Sequence, residues 1–252
     1  MFFVYVVFGV YNVYSIMDIS YNKAGLEVHN VNDGSKITDK KYDTCSKLSV
    51  KLAPYVKKNG FQTLRMEEIA KIMDISRATL YKYFSTKEEV IEFVVNNFIE
   101  FINELVVDSL DTDQLYGTRF HQLFEQSILL AVYITDIFLK ELEHIHPEKY
   151  DRLRGAMQLR EQQLLEFYDE GMQKGVFNQV NGKLLILQDE LLRSMTDVKY
   201  LMLNNLTIHQ VLYDYYQLKK IQLFKPEKIQ AVDDAPMIPK IEYLAQKISR
   251  DL

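Results

Sequence analysis

The sequence is poor in residues that staple, ligate or break a chain. Among 252 residues there is one cysteine, Cys45. A single thiol cannot close an intramolecular disulfide, so a reducing compartment, the cytoplasm, is the expectation. There is no Cys-x-x-Cys pair or Cys/His cluster of the kind that holds structural zinc. Glu141, Glu143, His144, His146 and Glu148 do crowd together. However, residues two apart on a helix face different ways and Pro147 ends the run, so we read a polar interhelical loop. The sequence also lacks a Gly-rich phosphate loop, a His-Glu-x-x-His pair and a nucleophile-base-orienter set. We therefore expect no cofactor, no metal and no enzyme.

Glycine and proline number only nine and five. Long runs of Leu, Ile, Glu, Gln, Lys and Met pass without a breaker, which favours helices throughout. Apolar residues make up 48% and charged residues 26%, enough to bury one large core or two modest ones. The net charge of −5 hides an asymmetry. Residues 36–91 carry 12 Lys/Arg against 7 Asp/Glu, whereas residues 92–252 carry 17 against 25. A basic module on an acidic body points to one region that meets a polyanion.

The chain opens on MFFVYVVFGVYNVYSIM, uncharged before Asp18. The run lacks the basic flank of a signal peptide, and it is shorter than the ~20 residues of a membrane span. We expect an upstream extension with the physiological start at Met17. A membrane anchor is the alternative, and the protein would then be a helical sensor or interaction protein. Asp18 to Asp43 is polar and reads as a flexible arm.

Helical spacing then organises the chain. A first helix covers Asp43 to Asn59 and stops at Gly60, a residue that readily takes the left-handed conformation. Short helices follow over Met66 to Met73 and about Arg77 to Phe84. Thr86-Lys87-Glu88-Glu89 reads as a capping box that opens a long helix to about Val107. Further spans are Gln114 to Leu130, Val132 to His144, Glu148 to Lys174, Gly182 to Leu203, Ile208 to Phe224 and Lys240 to Ser249.

The two short helices have the makings of a helix-turn-helix. Ala70 is small where the second helix must cross. Asp74 tolerates positive φ at the turn. Ile69, Ile75 and Leu80 form the wedge, and Ser76 can cap the second helix. The stretch NGFQTLRMEEIAKIMDISRATLYKYFSTKEEVI, Asn59 to Ile91, resembles the DNA-binding domain of the TetR family of transcriptional regulators. Gly60-Phe61, Ile69-Ala70, Ile75-Ser76, Thr79-Leu80-Tyr81, Phe84 and Lys87-Glu88 carry the resemblance. Leu64-Arg65, Met73-Asp74, Ala78 and Tyr83 depart from the family pattern.

The resemblance implies an all-α protein: a three-helix DNA-binding domain, then a larger helical domain that binds an effector and dimerises. The expected divisions are an N-terminal extension and arm (1–42), the DNA-binding domain (43–91), the effector and dimer domain (92–224), and a linker with a last helix (225–252). It also implies that Arg77 reaches base edges, with Ala78 and Thr79 beside it. Tyr81, Lys82, Tyr83 and Lys87 would hold phosphates, with Arg65 added to them from the second helix. The implied partners are an operator duplex, a second copy of the chain and a small apolar or aromatic effector; a membrane is not expected.

The body has no motif of its own. Phe98, Phe101, Phe120, Phe124, Tyr133, Phe138 and Phe167 fall at helical spacing and are candidates for an effector pocket. Leu184, Leu187, Leu191, Met195, Val198 and Met202 form one stripe. Val211, Leu212, Tyr215, Leu218 and Ile221 form another. Helices apolar on more than one face suggest burial against a partner, here a four-helix dimer interface.

Overall fold

The structure, a computed structural model, describes residues 33–104 and 112–251. Among the described residues the chain is all-α, with eleven α-helices and one short 3-10 turn. The helices cluster into two compact units, residues 33–104 with 136–157, and residues 112–135 with 158–251. The apolar run at the start and most of the expected arm lie outside the described residues, as does the expected end of the long helix near Val107.

Five helices and the start of a sixth build the first unit. Helix α1, Asp33–Asn59, begins ten residues before the expected Asp43. Tyr42 anchors the extra length: its hydroxyl donates to Glu100 at 2.5 Å and its ring lies 5.0 Å from that of Phe93. Leu48, Leu52 and Val56 line the buried face of α1 at the expected spacing. Helices α2, Met66–Ile72, and α3, Arg77–Tyr83, start where expected and end one residue earlier, with Met73 and Phe84 as their C-caps. Helix α4, Lys87–Asn103, runs through the expected domain boundary at residue 91, so that boundary does not divide the packing. Helix α6, Asp136–Ile145, and the first part of α7, Pro147–Gln173, complete the unit.

Glu141 is part of α6 rather than of a loop. Its carboxylate accepts from the backbone N–H of Phe61 at 2.5 Å and of Gln62 at 2.9 Å. The turn it holds begins at Gly60, with φ +72°. A Cβ on Gly60 would lie 2.3 Å from Glu141 Oε1. The left-handed backbone thus favours glycine here, and a Cβ would also push the Glu141 carboxylate from its two N–H partners. Phe61 is buried next to Phe138 and His146, with ring centroids 5.9 and 6.1 Å away.

The second unit contains α5, Asp113–Tyr133, the rest of α7, α8, Gly182–Met195, α9, Val198–Asn204, and α10, Ile208–Leu223. A 3-10 turn, Ile229–Ala231, leads to α11, Met237–Arg250. The single helix expected over Gly182 to Leu203 is two helices. Thr196 Oγ1 bonds back to the Leu192 carbonyl at 2.7 Å, and the Asp197 side chain caps the N–H of Tyr200 at 3.0 Å. An Asp that caps a new start competes with continuation of the old helix.

Helix α11 packs along α10, and α5 packs on α8. The stretch expected to be a linker and last helix is therefore integral to this unit. Lys228 pairs with Asp113 at 2.7 Å, Lys240 pairs with Glu125 at 2.7 Å, and Tyr133 donates to Asp251 at 2.5 Å. The core is aromatic: Tyr116, Phe120, Phe167, Phe177, Tyr216 and Phe224 pack ring to ring. No single helix among the described residues is long and apolar enough to cross a membrane.

Replacing Gly60 by alanine should cost about 1–2 kcal/mol from the left-handed backbone alone, and more from the displaced Glu141 carboxylate. Urea unfolding of the variant beside the parent checks this. An unchanged midpoint would mean that the turn relaxes without cost.

Candidate nucleic-acid interface

The two short helices meet around a small apolar centre. Phe61, Leu64, Ile69, Ala70, Met73, Leu80 and Phe84 are all buried there. Ile75, the third expected wedge residue, is half-buried. Asp74 takes the expected positive φ, 57°, and the N–H of Ile75 closes the turn on the Ala70 carbonyl at 3.0 Å. Lys51 of α1 donates to the Met73 carbonyl at 3.0 Å, satisfying an acceptor left open where α2 ends. No local spacing in the sequence points to that contact.

Capping sets where each helix starts. Ser76 Oγ accepts from the N–H of Thr79 at 3.0 Å, as expected. Thr86 Oγ1 accepts from the N–H of Glu89 at 3.2 Å. The return half of the expected box is shifted by one residue, because the Glu89 carboxylate accepts from Ser85 N–H at 2.6 Å. At the start of α2 the Glu68 carboxylate accepts from Arg65 N–H at 2.9 Å. This leaves the Arg65 side chain, which is exposed, with no capping duty.

With Leu80 and Phe84 inward, the opposite face of α3 is open. Arg77, Ala78, Tyr81 and Lys82 are exposed on it. Thr79 and Tyr83 flank it and are half-buried; the Thr79 hydroxyl is 2.8 Å from that of Ser76. Lys87 is half-buried at the start of α4 and donates to the Gln62 carbonyl at 3.0 Å. The structure thus exposes Arg77, Ala78, Tyr81 and Lys82 on one short helix, with Thr79 and Tyr83 at its flanks. It also adds a residue that the sequence reading missed. Glu67, ten positions before Arg77, pairs with its guanidinium at 2.9 Å. The guanidinium also lies 5.8 Å from the Tyr81 ring centroid.

Residues 56–94 match the family model of bacterial regulatory proteins of the tetR family. The chain carries a TetR-family helix-turn-helix. No curated protein matches the sequence. Among solved structures, the ketosteroid transcriptional regulator of Mycobacterium tuberculosis is similar at 16% identity and a TM-score of 0.48, over 72% of this chain and 95% of that one. A putative transcriptional regulator, a TetR family protein from Vibrio parahaemolyticus, is similar at 16% identity and a TM-score of 0.44, over 71% of this chain and 97% of that one.

The other expected sites are rearranged. The seven aromatic pocket candidates do not share one unit. Phe98, Phe101 and Phe138 belong to the first unit, where Phe98 and Phe138 rings meet at 5.8 Å. Phe120, Phe124 and Phe167 line a small cavity in the second unit. Tyr133 is in the second unit but is bonded to Asp251. Equal helical spacing could not separate these groups, because the chain leaves and re-enters each unit.

The two apolar stripes also differ in kind. Of the expected interface residues, Val211, Leu212 and Tyr215 are buried within the second unit. Leu184, Leu187, Leu191, Met202, Leu218 and Ile221 are exposed, Leu187 by 56% and Met202 by 78%. Met195 is half-buried, and Val198 is exposed beyond the break between α8 and α9.

Arg77→Ala should cost about 1–3 kcal/mol of specific binding and relax one base position. Lys87→Ala should weaken binding to all sequences alike and lower the salt slope by about one unit. Competition titrations on operator and random DNA separate the two; equal losses on both for Arg77→Ala would remove its base-reading role.

Proposed function

We propose that the protein is a homodimeric transcriptional repressor that leaves its operator when a small effector binds. The exposed basic face of α3, within a matched TetR-family segment, carries this reading. In it, Arg77 reads base edges next to Ala78 and Thr79, while Arg65, Tyr81, Lys82, Tyr83 and Lys87 position the duplex. The effector site belongs to the second unit, and the proposed compartment is the cytoplasm.

The dimer follows from the leucines of the second unit. Leu184, Leu187 and Leu191 are exposed at helical spacing on α8, and Leu218 and Ile221 are exposed on α10; large exposed apolar residues grouped on a helix mark an interaction surface. A second copy of the same face is the partner proposed for them. Two recognition helices about one DNA turn apart, ~34 Å, or a multiple of it, then require a pseudo-palindromic operator. An effector lowers DNA binding tenfold if it prefers the released state by about 1.4 kcal/mol.

Titration of the protein started at Met17 against DNA flanking its own gene, at two salt concentrations with random competitor, tests the reading. Saturable, salt-sensitive binding that survives the competitor is expected. Binding no tighter than to random DNA, at that site and in a genome-wide selection, would sink it. Leu187→Glu should shift the protein toward monomer in sedimentation and weaken operator binding, whereas an unchanged dimer would move the interface elsewhere.

A further inference from the structure

The second unit holds a polar cluster that DNA binding does not use. It forms one wall of a small cavity in the aromatic core, ≈ 10 Å³, room for about one water molecule. Phe120, Phe124 and Phe167 line the apolar side; Ser127, Asp189 and Lys219 line the polar side. Asp189 accepts from Ser127 Oγ, Tyr215 Oη and Lys219 Nζ, each at 2.8 Å. Lys219 also donates to the Leu185 carbonyl at 2.5 Å.

Arg160 reaches the cluster from α7. Its Nε donates to Gln126 Oε1 at 2.5 Å and a terminal nitrogen donates to Ser127 Oγ at 2.7 Å. The guanidinium thus makes these bonds to neutral oxygens, while the Ser127 hydroxyl donates its hydrogen bond to Asp189. Two cations face one carboxylate. Lys219 is buried and Arg160 partly so. Burial pushes both below their ordinary values and the charge of Asp189 opposes that shift. Tyr168 and Tyr215 add no negative charge, because burial pushes both phenols up. An excess buried positive charge is costly unless an anion compensates it.

We infer that this cluster recognises the head of the effector, and that the effector is a small amphipathic monocarboxylic acid. Its carboxylate pairs with Arg160 and Lys219, and its apolar or aromatic body lies among Phe120, Phe124 and Phe167. The excess of one positive charge suits a monoanion rather than a phosphate dianion. A guanidinium that gains a carboxylate in place of neutral acceptors makes stronger, bidentate bonds. The cavity must open to admit such a molecule, since sites for drug-sized ligands run to ~300–1,000 Å³. The acid therefore selects an opened state, which is the differential binding a switch needs. This inference rests on the proposal that the second unit binds an effector.

The test is calorimetric and thermal-shift titration of the whole protein with 4-phenylbutanoate and decanoate, each beside its primary amide. At least one acid should bind and raise Tm, and bind about tenfold or more tighter than its amide. Arg160→Gln should remove most of that preference. Lys219→Met is a second variant, with far-UV circular dichroism confirming that each one folds. Amides that bind as well as acids, no shift with either acid, or a preference unchanged in folded Arg160→Gln would overturn the inference. Operator titration on the same samples keeps the outcomes apart. Absent acid binding with intact DNA binding rejects the acid alone, whereas lost DNA binding in the parent rejects the regulator.

Discussion

The presentation of α3 depends on one turn in which the backbone must pass through the left-handed region. At Asp74 it does so, at φ 57°, with a residue that pays a smaller steric penalty than most side chains. Around it the chain supplies what the turn needs. Ala70 leaves room for the crossing, Ile75 N–H returns to the Ala70 carbonyl, and Lys51 closes the Met73 carbonyl from another helix. If that turn relaxes, Leu80 and Phe84 leave their centre and the basic face of α3 loses its direction. The turn before α2 is held in a similar way, by a carboxylate on α6 over a left-handed glycine.

Charge is used differently at the surface and in the interior. On the surface, the Arg77–Glu67 pair is exposed on both sides and so contributes little to stability. Its effect is on the guanidinium, which is held between Glu67 and the Tyr81 ring. Inside the second unit, Lys219, Asp189 and Arg160 have little water to screen them. There the same kinds of group set what the core tolerates, and an imbalance of one charge becomes a statement about ligands.

The second unit also shows why apolar patterning has two meanings. Tyr215 and Leu218 are one turn apart on α10, yet Tyr215 is buried with its hydroxyl on Asp189 and Leu218 is exposed. On α8, Leu185 and Leu192 are buried while Leu184, Leu187 and Leu191 face out. Hydropathy ranks these residues alike. Only the direction of each helix relative to its own core separates what the unit buries from what it leaves exposed.

The sequence by itself determined the local features. These were the all-helical content, the starts of α2 and α3, the positive φ at Asp74, the Ser76 cap and the family of the segment from 56 to 94. Each rests on residues within a few positions of one another, where spacing and steric preference act directly. Tertiary structure decided the rest. It extended α1 through Tyr42 to Glu100, put Glu67 against Arg77, and split the aromatic pocket candidates between two units. It also sent Val211, Leu212 and Tyr215 inward, gathered Ser127, Asp189 and Lys219 around one cavity, and brought Arg160 onto Ser127. Those pairings join residues from 10 to 62 positions apart. No periodicity encodes them, because they depend on which helix faces meet once the chain has folded back on itself.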